Sequence, residues 1–333
     1  MNKNNDLDFK LDLDAKELEW ILSLAKQIIS SPSLDPDQFC KEVKEISNRI
    51  PDWIRAKLLR FKEKGSPTGY FLINTFLFLE DDFITPSDNK QRIGETTLLA
   101  KVQALLLSVL GEMLAYEAEG CGHLFQDVVP HRSMATNQTS LGSQVELEIH
   151  TEQAFSKLRP DFLSLACLRG DTSAFTYLLP VQVLLEHLTS EERIRLFQPL
   201  WYTGVDLSFK LYGKEFLEGD VRGPMAILHK LEDKEDDLHF VFDQDLMKGT
   251  DKASRLLIQK IIDIYYEKRL SHCLQPGQIL FIDNRRAVHG RSPFFPKYNG
   301  KDRFLIRSFA TLDYEKSAYA RPNGGRMIGS VHS

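Results

Sequence analysis

The sequence predicts a mainly β protein with flanking helices, an α+β chain whose core is a double-sheet barrel. Three observations carry this expectation. Strand-like runs are many and short, helical patterns lie before and between them, and strand and helix do not alternate regularly. Regular alternation would instead have pointed to a parallel sheet. At 333 residues the chain exceeds an average domain, but decorated barrels reach this size around one core, and no repeat or low-complexity linker divides it. One domain over residues 1–333 is expected, helical through about residue 65.

The first helix is expected to open at Asp14, with Glu17 three residues on in a capping-box arrangement and Leu18, Ile21, Leu22, Ala25, Ile28 and Ile29 at helical spacing. Pro36-Asp37 and Pro51-Asp52 read as the first turns of two more. After the turn at 65–69, residues 70–79 are rich in strand formers. Residues 94–119 carry the strongest helical pattern, with an apolar face broad enough to lie across a sheet. Residues 123–130 read as a strand that stops at Pro130, which has no N–H for a ladder. Strands follow over 144–152, 162–168 and 172–178, then two short helices between Pro180 and Phe197 and short strands near 202–208 and 225–231. The segment 213–224 between those strands is expected to form a mobile lid. Strands at 238–243 and 278–283 flank a long helix over 252–270, and 303–310 is the final strand.

Composition narrows the function classes. Forty-two Lys and Arg against 47 Asp and Glu give a net charge of −5 without long single-sign blocks, which argues against nucleic acid or an anionic membrane as the main partner. No run reaches the length of a membrane span, and the N-terminus lacks the apolar core of a signal peptide, so a cytoplasmic protein is expected. Cys40, Cys121, Cys167 and Cys273 are scattered, with no Cys-x-x-Cys pair, and read as reduced, mostly buried thiols. Oligomer formation is left open.

The chemistry concentrates in residues 144–152. Val145, Leu147 and Ile149 form one apolar set, and Gln144, Glu146, Glu148, His150 and Glu152 form the other, so His150 and Glu152 point the same way. A histidine and a carboxylate on one side of a strand can occupy adjacent positions on a metal ion, and two histidines plus one carboxylate is the ligand set of non-haem iron oxygenases. His289, beside Gly290, supplies a third ligand, and Gly290 is expected to let the backbone pass close to a ligand. Arg303 lies fourteen residues past His289, with Arg307 four further on. The two arginines share a strand face about 13 Å apart and can grip two different carboxylates.

This combination, His150-Thr-Glu152, then Asp283-Asn-Arg-Arg-Ala-Val-His289-Gly-Arg, then Asp302-Arg303, resembles the clavaminate synthase-like group of iron(II)/2-oxoglutarate-dependent oxygenases. The branch it is most similar to hydroxylates free amino acids. The resemblance runs from about residue 70 to 312 and implies a double-stranded β-helix (jelly-roll) core there. It also implies Fe(II) held by His150, Glu152 and His289, with 2-oxoglutarate and O₂ as co-substrates. Arg303 and Thr176 would hold the 2-oxoglutarate C5 carboxylate. Most of the wider superfamily has Asp where this chain has Glu152, but Glu is usual in this branch.

The resemblance further assigns Glu119, at an expected helix end, to the substrate α-amine and Arg307 to its α-carboxylate. Glu152 can also touch the amine. Asp243 and Asp245 correspond to an acidic segment that contacts the far end of the substrate, and acidic residues there favour a cation. L-Lysine hydroxylated at C4 is expected, on similarity to bacterial lysine hydroxylases, with L-arginine or another free amino acid as the alternative. Two other classes stand beside it. A zinc hydrolase uses similar ligands but normally on a helical His-Glu-x-x-His, which is absent. A non-catalytic amino-acid-binding barrel would need Glu119 and Arg307 but not three metal ligands.

Overall fold

The structure, a computed structural model, describes residues 9–75, 84–212, 220–231 and 234–332. A short strand β1 (Lys10–Asp12) precedes three helices, α1 (Ala15–Ala25), α2 (Pro36–Ser47) and α3 (Asp52–Lys64). The capping box of α1 is present: Asp14 accepts from the backbone of Lys16 and Glu17, while Glu17 accepts from the Asp14 N–H at 2.8 Å. Strand β2 (Tyr70–Asn74) is shorter than expected, and residues 76–79 of the expected strand lie outside the described residues.

The expected helix over 94–119 divides into a 3₁₀ turn (Gly94–Thr96), α4 (Leu98–Leu110) and β3 (Glu112–Tyr116). The change falls at Gly111, where backbone crowds backbone. A Cβ there would sit 2.4 Å from the Thr311 carbonyl oxygen, so only glycine lets the chain turn from helix to strand against its neighbour. The apolar pattern of β3 happened to continue the helical period. Next come β4 (Gln126–Val128), β5 (Leu147–His150), β6 (Phe162–Arg169) and β7 (Phe175–Pro180), then α5 (Val181–Glu186) and α6 (Ser190–Leu196) where two helices were expected.

Strand β8 (Trp201–Gly204) gives way to a short helix α7 (Leu207–Tyr212), correcting the expected strand over 202–208. Of the expected lid, 213–219 lie outside the described residues, and 221–224 belong to β9 (Val221–Met225), paired with β8. The hairpin β10 (Leu228–Leu231) and β11 (Lys234–Phe240) follows, then β12 (Lys248–Gly249) and α8 (Lys252–Lys268). The remaining strands are β13 (Leu270–Cys273), β14 (Gln278–Asp283), β15 (Ala287–Arg291), β16 (Phe304–Thr311) and β17 (Met327–Ile328). Strands β13 and β15 were not expected; His289 lies within a strand rather than just after one.

Two sheets organise the chain. The larger runs β1-β2-β14-β6-β16-β3-β17, with β4 also paired to β16; the smaller runs β13-β7-β15-β5. Side chains alternate across each strand. On β16, Phe304, Ile306 and Ala310 join the core under α1–α4, while Leu305 and Phe309 join an inner core with Leu163 and Leu165 of β6 and Leu178 of β7. Ile149, Leu179 and Val288 of the smaller sheet face outward against α5, α6 and α8. The layers are therefore helices, large sheet, inner core, small sheet, helices. Helix α4 is buried on nearly every side, and its Gln103 is tied to the large sheet through Ser164 Oγ at 2.9 Å and the Ile306 carbonyl at 3.1 Å.

Candidate active site

The inner layer contains a cavity of about 520 Å³. It is lined by residues from both sheets, including every sequence-expected site residue: Glu119, His150, Glu152, Thr176, Asp243, Asp245, His289, Arg303 and Arg307. His150 ends β5 and His289 lies on β15, and the two are register partners across that antiparallel pair. Their rings lie 4.5 Å apart, centroid to centroid. Glu152 sits two residues past β5, where its backbone is clamped by one side chain. Its N–H donates to Asn284 Oδ1 at 2.8 Å, and Asn284 Nδ2 donates to the carbonyls of Glu152 at 3.1 Å and Pro160 at 2.8 Å.

The ligand atoms of His150, Glu152 and His289 all lie within 4.8 Å of one another. Two ligands at about 2.1 Å from a metal and at right angles are roughly 3 Å apart. His289 Nε2 and Glu152 Oε2, 3.4 Å apart, approach that spacing. His150 Nδ1 lies 2.8 Å from the Glu148 carbonyl, which holds the proton on Nδ1 and leaves Nε2 free for a metal. His289 Nδ1 is buried and has no partner among the described residues.

The charge states also suit a cation. Burial lowers the pKa of His150, and the neighbouring His289 lowers it further, favouring the neutral imidazole that a metal requires. Burial alone would raise Glu152, but Arg307 and His289 outweigh it and bring the carboxyl down to about 2. Its oxygens are divided: Oε2 faces His289, and Oε1 accepts from Arg307 at 3.2 Å.

Arg307 organises the adjoining pocket. Besides Glu152, it pairs with Glu119 and donates through Nε to Gln126 Oε1 at 2.9 Å. Glu119 follows β3 in a turn rather than ending a helix, and its other oxygen accepts from Ser208 Oγ at 2.7 Å. Across the cavity stand Asp206, Asp243 and Asp245. Burial pushes Asp243 up to about 6 even though His150 opposes the shift, and Asp243 Oδ1 accepts from the Leu246 N–H at 2.7 Å. Asp206 lies well above the carboxylate range through burial and the nearby charge of Asp243. Such crowded acids are relieved by a cation between them.

Arg303 precedes β16, and Thr176 lies on β7. Among the described residues, neither side chain has a hydrogen-bond or ion-pair partner, although Arg303 is only 6% exposed. A buried guanidinium without a counter-charge marks a place for an anion. Gly290 differs from expectation: its close neighbours are the Leu147 carbonyl, 2.6 Å from a Cβ, and Tyr265 Oη, 3.1 Å away, so it serves the β5–β15 contact.

Comparison with known proteins places this geometry. Residues 108–309 match the taurine catabolism dioxygenase TauD, TfdA family. The chain belongs to that family. This TauD/TfdA-family chain is 44% identical over 323 residues to an L-lysine 3-hydroxylase of Catenulispora acidiphila, covering 97% of the chain and 89% of the relative. It is 30% identical to clavaminate synthase 2 of Streptomyces clavuligerus, covering 94% of each. An L-lysine 4-hydroxylase of Flavobacterium johnsoniae is 22% identical, covering 74% of the chain and 67% of the relative. The crystal structure of asparagine oxygenase with Fe(II), 2S,3S-3-hydroxyasparagine and succinate superimposes with a TM-score of 0.87 at 27% identity, covering 96% of this chain and 99% of that one.

Four residues of the TauD/TfdA-family site carried no signal in the sequence. Gln126 reaches Arg307 because β4 and β16 pair it with Arg307 in register. Asp206 and Ser208 arrive on α7 and the loop before it, in a stretch expected to be a strand. Asn284 lies inside the recognised motif, but only the fold shows that it holds the Glu152 loop.

Proposed function

We propose that this protein is an Fe(II)- and 2-oxoglutarate-dependent hydroxylase of a free cationic L-amino acid, L-lysine, built on a jelly-roll formed by its two sheets. The observation that carries it is the His150, Glu152, His289 cluster lining the same cavity as Arg303, which has no ion pair among the described residues. Fe(II) bound there would supply O₂ activation coupled to decarboxylation of 2-oxoglutarate to succinate and CO₂, with one oxygen entering a substrate C–H bond. The protein's own residues set the positions. Arg303 and Thr176 hold the C5 carboxylate of 2-oxoglutarate, and the surrounding Leu163, Leu165 and Leu305 keep the cavity dry. Arg307 takes the α-carboxylate and Glu119 the α-amine, a complementary pair for a zwitterionic head group. Asp243, Asp245 and Asp206 receive the side-chain cation.

Lysine is supported by the relative at 44% identity, an L-lysine 3-hydroxylase, whereas the expected C4 position is that of L-lysine 4-hydroxylases 22%, 23% and 24% identical to the chain. We therefore favour C3. A cytoplasmic location belongs to the same reading, supported by four free cysteines, of which Cys40 and Cys167 are buried. Among the described residues, no helix is long and apolar enough to cross a membrane.

The test is incubation with Fe(II), 2-oxoglutarate and O₂ across the free amino acids, following succinate and characterising products by mass spectrometry and NMR. Lysine should give succinate in step with a product that gains one oxygen at C3. Faster turnover of arginine would overturn the substrate, a C4 product the position, and no coupled turnover with any amino acid the hydroxylase itself. Hydrolysis requiring metal but not O₂ would favour the zinc enzyme.

A further inference from the structure

Arg303 is not alone on its side of the cavity. Arg291 follows His289 by two positions on β15, so its side chain projects to the same inner side. Its register partner across the β7–β15 pair is Thr176. Arg291, Thr176 and Arg303 all line the cavity, and the two arginines are 5% and 6% exposed. Both guanidiniums adjoin the ring of Phe294, at 5.2 and 5.6 Å from its centre. Arg291 donates only to backbone carbonyls, from Nε to Ser292 at 3.1 Å and from Nη2 to Val145 at 3.3 Å. Among the described residues, neither arginine forms an ion pair.

Two like charges buried around one ring, with no carboxylate in ion-pair contact with either among the described residues, are costly unless an anion joins them. A carboxylate has two oxygens and about four acceptor sites, enough to take a guanidinium from each side and a hydroxyl besides. We propose that Arg291 is a second guanidinium for the distal carboxylate of the 2-oxo acid, acting with Arg303 and Thr176. It thereby makes the site select a dicarboxylic co-substrate. The proposal rests on the 2-oxoglutarate reading above and deepens it, since Arg291 was absent from the expected site. Its neutral edge interactions with Ser292 and Val145 orient the guanidinium, leaving Nη1 for the ligand.

The test compares binding of 2-oxoglutarate with that of 2-oxopentanoate, which has a methyl group in place of the distal carboxylate. Affinities are measured by calorimetry on the Fe(II)-loaded enzyme without O₂, with folding checked by circular dichroism. Wild type should favour 2-oxoglutarate strongly. In R291M, 2-oxoglutarate should bind about 10- to 100-fold more weakly, the weight of one charge-assisted hydrogen bond, while 2-oxopentanoate binding is unchanged. R291K, which keeps the charge but not the planar fork, should lose about threefold to tenfold for 2-oxoglutarate alone; it carries the test if R291M does not fold. Equal losses for both ligands, or no loss for 2-oxoglutarate, would overturn the assignment. Wild-type protein that binds neither 2-oxo acid would overturn the co-substrate reading itself.

Discussion

Single side chains decide whether three ligand atoms meet. Asn284 shows this most clearly, because its one amide accepts from the Glu152 N–H and donates to the Glu152 and Pro160 carbonyls, closing the turn that aims the carboxylate. Removing it leaves those buried backbone groups unanswered and frees the loop. Asn284→Ala should weaken metal binding about 10- to 100-fold, the usual cost of losing a group that orients a ligand. Titration of Mn(II) or Fe(II) into the variant checks this, and wild-type affinity in folded protein would show that the loop holds itself. The candidate ligands were legible because their residue types are chemically selective, but the period of two expected over 144–152 holds less far, since β5 spans only Leu147–His150 and Glu152 lies in the turn beyond it. Asn284 and Gln126 were not legible, since an amide has no sequence pattern of its own. Gln126 meets Arg307 only through the pairing of strands 181 residues apart.

At the scale of elements, the β5–β15 pair sets the distance between the two histidines. Gly290 makes that pair possible: a Cβ would stand 2.6 Å from the Leu147 carbonyl and 3.1 Å from Tyr265 Oη. Gly290→Ala should force the strands apart, lowering stability by about 1–3 kcal/mol as an overpacking change. Metal affinity should fall with it, because His150 and His289 are partners across the same pair. Urea unfolding read beside metal titration separates the effects; lower stability with unchanged affinity would mean that the strands yield without moving the ligands. Sequence reading located α1, α2, α3, α5, α6, β6 and β14 well, where capping residues and continuous apolar runs are local signals. It missed β15, whose buried His-Gly-Arg stretch reads as polar, and it merged α4 with β3 because Met113 and Leu114 continued the helical period. Burial of polar residues at a site and a break imposed by a distant carbonyl are both tertiary effects.

For the whole molecule, the site depends on how the helical N-terminal part is fastened to the sheets. Asp283, fully buried at the end of β14, accepts from Arg285 at 2.8 Å through both oxygens and from Arg286 at 2.5 Å. The same arginines reach the carbonyls of Lys62 at 2.9 Å and Glu63 at 3.1 Å in the last turn of α3, and Arg286 also pairs with Asp237 at 2.6 Å. One carboxylate thus joins the large sheet, α3 and the β10–β11 hairpin, one residue before Asn284. Burial alone would raise the pKa of Asp283, but Arg285 and Arg286 outweigh it and hold the carboxyl below its ordinary value. Its contribution is therefore complete above the unfolded value of about 3.9 and is lost as pH falls through the lower folded value. Asp283→Asn should cost about 3–5 kcal/mol near neutral pH, since it leaves the buried Arg285 with a neutral partner and Arg286 with Asp237 as its only ion-pair partner. Urea midpoints of wild type and variant should stay equally far apart from about pH 7 to about pH 5, then draw together as pH falls below the unfolded value of about 3.9 and through the lower folded one. A gap that persists undiminished in acid would assign the loss to packing rather than to the charge of Asp283.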